Sequence, residues 1–282
     1  MKHVVAAIDG SISTNAVGQY ASWAARRLRC PLNLLHVLDE DRFPVQLNLT
    51  ASPESESQIS LLEEMARLDK QRNQLALQHG QNLLAAAESA AYQQGVDAVQ
   101  RQQRHGDPVA SLTEVEEQMR LLVISLHNMN SASADPIGSP LETVVRTIQK
   151  PILVTPKSFR QPTSVMLAFD GSDTARKGVK MLAESPIFKG MPIDLVMVDT
   201  DTPHARASIE AAANHLREYR HSVNFEIRFG DIESTLSAYQ QEKQIDLLVM
   251  GAYGQSRGRN FFIGSTTSKM LHKATTPLLL LR

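Results

Sequence analysis

With a single cysteine, Cys30, the chain can form no internal disulfide. No histidines or cysteines cluster beside it to make a zinc site. Charge of either sign is in no excess: 29 Lys and Arg against 30 Asp and Glu leave a formal net charge of −1. There is no overall basic field of the kind that drives non-specific binding to nucleic acid or membrane, and no local basic patch stands out in the sequence. No apolar run reaches the roughly 20 residues of a membrane span. The start, Met1-Lys2-His3 running directly into Val4 to Ile8, is too short for a signal peptide's apolar core and cleavage site. The expectation is a protein of the reducing cytoplasm that engages neither nucleic acid nor membrane. Nine histidines are scattered without H-x3-H or H-E-x-x-H spacing, and no G-x-S-x-G elbow exposes a serine. His36 is expected to end a buried strand and His127 to lie in a loop. The one tryptophan, Trp23, stands at helical spacing with Val17, Tyr20 and Leu28 and reads as core.

What the chain does contain is a repeat. His3 to Ser11 reads HVVAAIDGS and Ser164 to Ser172 reads SVMLAFDGS, so Asp9-Gly10-Ser11 and Asp170-Gly171-Ser172 stand 161 positions apart. Leu121 to Ser125 matches Leu247 to Gly251. From there the register does not slip: Ser125, Gly138 and Pro151 have the spacing of Gly251, Gly264 and Pro277. Short β-rich apolar runs alternate with helical patterns, which argues for βα units around a parallel sheet. The first half reads as strands at 3–8, 32–38, 97–103, 121–126 and 151–155 with helices at 14–29, 58–94, 108–119 and 140–149. The second reads as strands at 164–169, 192–198, 223–229, 246–251 and 277–281 with helices at 173–187, 204–219, 232–243 and 265–274. Two domains, 1–156 and 163–282, follow from the repeat, joined by a short linker with prolines at 156 and 162. The short apolar strands 152–155 and 278–281 are edges able to pair with each other, making one chain a pseudo-dimer. A homodimer is the other assembly left open.

The extra length of the first half lies between Asp39 and Gly95. Residues 44–57 read as loop, and Leu61 to Ala91 as a long amphipathic helix, either solvated or docking a partner through Leu61, Leu62, Met65 and Leu68.

After the fourth strand of the second half comes Gly251-x2-Gly254-x9-Gly264-Ser265-Thr266-Thr267, followed by an amphipathic helix. Strand, glycine-rich loop and helix N-terminus form an arrangement suited to anions. Glycine lets backbone approach phosphate, and the first N–H groups of the helix point outward at the positive end of its dipole. Ser265, Thr266 and Thr267 add hydroxyls at that end. The loop is neither a Walker A loop nor a G-x-G-x-x-G turn. Read without further context, the glycines and Ser265 serve equally well as turn formers and a helix cap.

That spacing resembles the nucleotide-binding motif of the universal stress protein family. So do the aspartate after strand one, the strand-two ending LLHV at Leu34 to Val37, and the closing Pro277 to Leu281. The resemblance covers nearly the whole chain and makes it similar to a tandem member. It implies two tandem five-stranded parallel-sheet domains, Rossmann-like and adenine-nucleotide alpha-hydrolase-like, and ATP, with Mg2+, as the ligand of a stress-response sensor. On that resemblance Asp170 contacts the nucleoside, Val198 meets adenine through its backbone, and Gly251, Gly254, Gly264, Ser265 and Thr266 surround ribose and phosphates. Their position outside the carboxyl ends of the strands agrees with where ligands bind in open parallel sheets. A turn carboxylate is the other reading of Asp170. Arg257 and Arg259 either neutralise phosphate or stand in solvent, and Phe261 and Phe262 either pack the loop down or close it over a ligand.

The first half departs from the motif. Ser125 and Asn128 replace Gly251 and Gly254, and Pro140, which lacks an N–H, replaces Thr266. This half is expected to bind ATP poorly or not at all. Efficient ATP hydrolysis needs a placed metal and a group orienting the nucleophile, and the sequence offers no candidate for that group, so slow turnover is the most it allows. The rival reading is a nucleotide-free scaffold acting through dimerisation and the 58–94 helix. A true enzyme such as an ATP pyrophosphatase would need a charged catalytic cluster at the loop, which the sequence does not show.

Overall fold

The computed structural model describes residues 2–39, 56–126, 140–252 and 265–282. The first half contains β1 (His3–Ala7), α1 (Thr14–Leu28), β2 (Leu32–Leu38), α2 (Glu56–Gln93), β3 (Val99–His105), α3 (Pro108–Glu114), β4 (Met119–Ser125), α4 (Pro140–Thr147) and β5 (Ile152–Thr155). The second contains β6 (Val165–Ala168), α5 (Asp173–Glu184), β7 (Ile193–Val198), α6 (Pro203–Glu218), β8 (Val223–Arg228), α7 (Ile232–Glu242), β9 (Leu247–Gly251), α8 (Ser265–Lys273) and β10 (Leu278–Leu281).

Most elements lie within two residues of their sequence expectation, and the exceptions have local causes. The helix expected over 108–119 stops at Glu114, and a 3-10 turn at Glu116–Gln118 follows, because Met119 is already paired with His3 in the sheet. The helix expected to 187 stops at Glu184: Pro186 holds Ser185 extended, at φ −81° and ψ 128°. Strand β3 starts two residues late, after a turn in which Gly95 takes φ 81°. Of the expected loop at 44–57, residues 56 and 57 are already helical and the rest lies outside the described residues.

The ten strands form one sheet in the order β3-β2-β1-β4-β5-β10-β9-β6-β7-β8. Every pairing is parallel except the central one, where β10 runs antiparallel to β5 with Leu279 opposite Leu153. The two apolar edges thus cover each other inside one chain. Side chains alternate between the faces of the sheet, and both faces are covered, so the inner strands read as near-continuous apolar runs, while the edge strands β3 (VQRQQRH) and β8 (VNFEIR) are largely polar. Val4, Ala6, Leu121, Val123, Leu153, Leu279 and Leu281 enter one core, under α1, α2, α5 and α6. Leu122, Ile124, Ile152, Val154, Leu278 and Leu280 enter the other, under α3, α4, α7 and α8. Each core draws on both halves, and Trp23 is buried in the first of them.

Polar contacts fasten the halves further. Arg27 of α1 donates through Nε and Nη2 to Ile187 O at 3.2 and 3.1 Å, and through Nη2 to Lys189 O. Arg282 donates to Ile148 O and Arg146 O at 2.7 and 2.6 Å. The linker lies on α1: Phe159 meets Tyr20 edge to face at 4.7 Å between centroids, and Arg160 N–H donates to the Tyr20 hydroxyl at 3.3 Å.

Candidate functional site

In the second half β6 is flanked by β7 on one side and β9 on the other. The chain leaves β6 toward β7 and β8, then returns to lay down β9 and β10 on the far side. The crevice above the carboxyl ends of β6 and β9 is therefore a topological switch point, where open parallel sheets accept ligands. The ladder aligns Ala168 with Val196 and Leu167 with Val249. By that register Asp170 is level with Val198 and Gly251 is level with Phe169. With strands about 4.8 Å apart, three of the expected positions converge within roughly 10 Å across the top of the sheet.

Asp170 is exposed, and its Oδ1 accepts the Ser172 N–H at 2.9 Å. Gly171 between them has φ 73°, a conformation that favours glycine. Ser172 in turn caps α5, its Oγ accepting the Ala175 N–H at 3.2 Å. One carboxylate oxygen thus shapes the turn, as the plainer reading of Asp170 requires, while the group still faces solvent at the crevice. Val198 ends β7 half-buried, paired with Arg228 of β8.

Gly251 closes β9, and α8 opens at Ser265 with Thr266 half-exposed on its first turn. Thr267 has a different part from the one its sequence suggests. It is buried, and its Oγ1 donates to Gly251 O at 3.2 Å, so this hydroxyl ties the helix start to the strand end and is not offered to a ligand. Nothing in the spacing distinguished it from Thr266; only helix phase on the packed sheet does. Gly254, Arg257, Arg259, Phe261, Phe262 and Gly264 lie outside the described residues. Among the described residues no group of three His, Cys, Asp or Glu side chains is placed to hold a metal, and no helix is long and apolar enough to cross a membrane.

The first half repeats the frame with different contents. Asp9 Oδ1 accepts from Ser11 N–H and Thr14 Oγ1, both at 3.0 Å, and Gly10 has φ 75°. Ser125, at the position of Gly251, is fully buried. Asn128, His127, Gly138 and Ser139 lie outside the described residues. A difference that the sequence reading missed comes from α2. Its end matches that of α6, since Val96 N–H reaches Ala91 O as His221 N–H reaches Leu216 O. Counting back, Leu83 stands for Ser208 and Gly80 for Ala205. A Cβ on Gly10 would lie 2.9 Å from Leu83, whereas one on Gly171 would lie 3.5 Å from the Ser208 hydroxyl. The aspartate turn of the first half is thus overlaid by an apolar side chain. Beside it His36, within β2 and not at its end, lies buried under Gly80 with no partner for Nδ1. Burial, then the charge of His79, push its pKa below the usual value, and Asp9 opposes them.

Comparison with known proteins agrees with this architecture. The model of the universal stress protein family matches residues 1–156 and 185–282. A universal stress protein of Synechocystis sp. is 30% identical over the full length of both chains. One from Mycolicibacterium smegmatis is 21% identical, covering 99% of this chain and 96% of its own. Among solved structures, a universal stress protein from Archaeoglobus fulgidus superposes with a TM-score of 0.67 at 15% identity, covering 99% of this chain and 96% of its own. A functionally unknown protein from Pseudomonas aeruginosa gives 0.63 at 15% identity, covering 100% and 92%. At such identities the structural matches speak for the fold.

Proposed function

The chain belongs to the universal stress protein family, and we propose that its second half binds an adenine nucleotide, ATP with Mg2+, at the switch point. We propose further that the protein reports nucleotide state in a stress response through nucleotide-dependent contacts with other proteins. The observation that carries this reading is the convergence of Asp170, Val198, Gly251 and the start of α8 at one end of the sheet. In this reading the Asp170 oxygen not used by its own turn accepts from the ribose, and Val198 presents backbone to the base. Gly251 adds no side chain where the phosphates pass. Gly254, Gly264, Ser265 and Thr266 complete the phosphate cradle at the positive end of α8. Residues 163–282 are then the nucleotide-holding unit. Residues 1–156, with Leu83 over the aspartate turn and Ser125 in place of glycine, form a degenerate partner. Mg2+ would reside on the nucleotide's phosphates, since the described side chains offer no cluster of their own.

One observation favours a second reading, a scaffold. Along α2, Met65, Leu68, Leu75 and Leu77 are exposed. Calorimetry with Mg-ATP on the wild type and on Gly264→Val separates the two. The nucleotide reading expects one ATP per chain at the switch point, and the substitution abolishes that site. No binding by the wild type at millimolar ATP would overturn it and leave the scaffold.

A further inference from the structure

At the opposite edge of the sheet, the amino-terminal ends of the first-half strands gather positive charge. Lys2 precedes β1, Arg29 precedes β2, Arg120 is the second residue of β4 and Lys150 precedes β5. These four strands are consecutive neighbours in the sheet, in the order β2-β1-β4-β5. These four residues line one open cavity of about 380 Å3, with Cys30 in its wall and no acidic residue in its lining. Such a volume lies in the range of small-molecule sites. Arg120 donates to the backbone at Leu28 O, 3.3 Å away. Among the described residues no carboxylate pairs with any of the four cations.

The fold does not require this charge, and the second repeat shows why. Its residues at the same positions are Thr163, Gly190, Asp246 and Thr276, with Met191 in place of Cys30. There the edge is neutralised internally. Asp246 accepts from Thr163 N–H at 3.0 Å and pairs with Arg160 at 3.4 Å. Arg29 is the more telling exchange. It takes φ 50°, a left-handed conformation that disfavours a side chain, at the position where the other repeat has Gly190 at φ 80°. Several cationic donors around one small cavity suit an anion with several charged oxygens.

We propose that this cavity binds a small phosphate-rich anion, at a site separate from the nucleotide crevice and independent of it. A free oligophosphate and the phosphate tail of a nucleotide present the same chemistry, and the test tells them apart. Cys30, as the only cysteine, reports occupancy through its rate of alkylation by the uncharged reagent iodoacetamide. Burial pushes its thiol pKa up, so the reaction is followed at mildly alkaline pH. Inorganic tripolyphosphate is expected to slow alkylation saturably, beyond any effect of sodium chloride at equal ionic strength. Arg120→Gln and Lys150→Gln should each weaken that protection about tenfold, as loss of one charged donor implies. Arg29→Gly copies the second repeat and relieves the backbone, so it should weaken protection without lowering stability. ATP is tested on Gly264→Val, which removes the crevice as a competing site. Equal protection by ATP identifies a nucleotide tail as an acceptable ligand, and protection by tripolyphosphate alone identifies free oligophosphate. Unchanged alkylation at millimolar tripolyphosphate, protection matched by sodium chloride, or full protection in the three variants would each overturn the proposal.

Discussion

Gly80→Ala probes how α2 is seated on the first half. A Cβ there would lie 2.6 Å from both Cε1 and Nδ1 of His36 and would also meet the Gln103 amide. Gln103 can swing aside at the loss of its bond to Leu77 O. The imidazole cannot, because it is 7% exposed and held between helix and sheet. Forcing one extra carbon into such a site costs about 1–3 kcal/mol. Alanine within a helix returns about 0.8–1 kcal/mol relative to glycine. The net expectation is a loss of up to about 2 kcal/mol. With His36→Ala as background the imidazole clash disappears and only propensity and the lost Gln103 bond remain, so the same substitution should be more favourable by about 1–3 kcal/mol than in the wild type. The second repeat supports the argument, for it combines Ala205 with Met197 at these two positions. Urea unfolding of the four proteins completes a double-mutant cycle. Equal stabilisation by Gly80→Ala in both backgrounds would show that the helix does not sit on His36 as described.

Three further outcomes follow from the same structure. His36 has its pKa lowered by burial and by His79, so the unfolded chain binds the proton more tightly. Stability should therefore fall as pH drops below about 6.5, by at most about 1.4 kcal/mol per pH unit; His36→Met should remove that part of the slope, and an unchanged slope would contradict the assignment. Leu279→Ala, at the antiparallel joint, should cost about 2–5 kcal/mol and speed proteolysis of the linker at 156–163; a surface-like loss below about 0.5 kcal/mol would mean the joint is not packed. Thr267→Val should cost about 0.5–1.5 kcal/mol in denaturant unfolding, since the buried hydroxyl that holds Gly251 O is removed, and no loss would show that bond to be absent.

Much of this molecule is legible in its sequence. The two Asp-Gly-Ser turns, the matched spacing from Ser125 and Gly251 onward, and the short apolar runs led to two βα repeats, because each signal is local and fixed by backbone geometry. That Asp170, Val198 and Gly251 lie at one end of the sheet was legible for the same reason: each stands at or just past the carboxyl end of a strand, and those ends in a parallel sheet share one side. Thr267, Leu83 and Gly80 were not. Their roles depend on which side of a helix meets the sheet and at what distance, and no periodicity encodes that.

The sequence by itself therefore determined the kind of units present and the end of the sheet where each loop emerges. Hydrophobic pattern and turn residues act over a few neighbours along the chain. Only the tertiary structure decided that the halves join through antiparallel β5 and β10 into one sheet with two shared cores. It alone decided that Leu83 overlies the first aspartate turn and that Lys2, Arg29, Arg120 and Lys150 meet around one cavity. Those residues are far apart in sequence, and adjacency across a sheet is set by strand order.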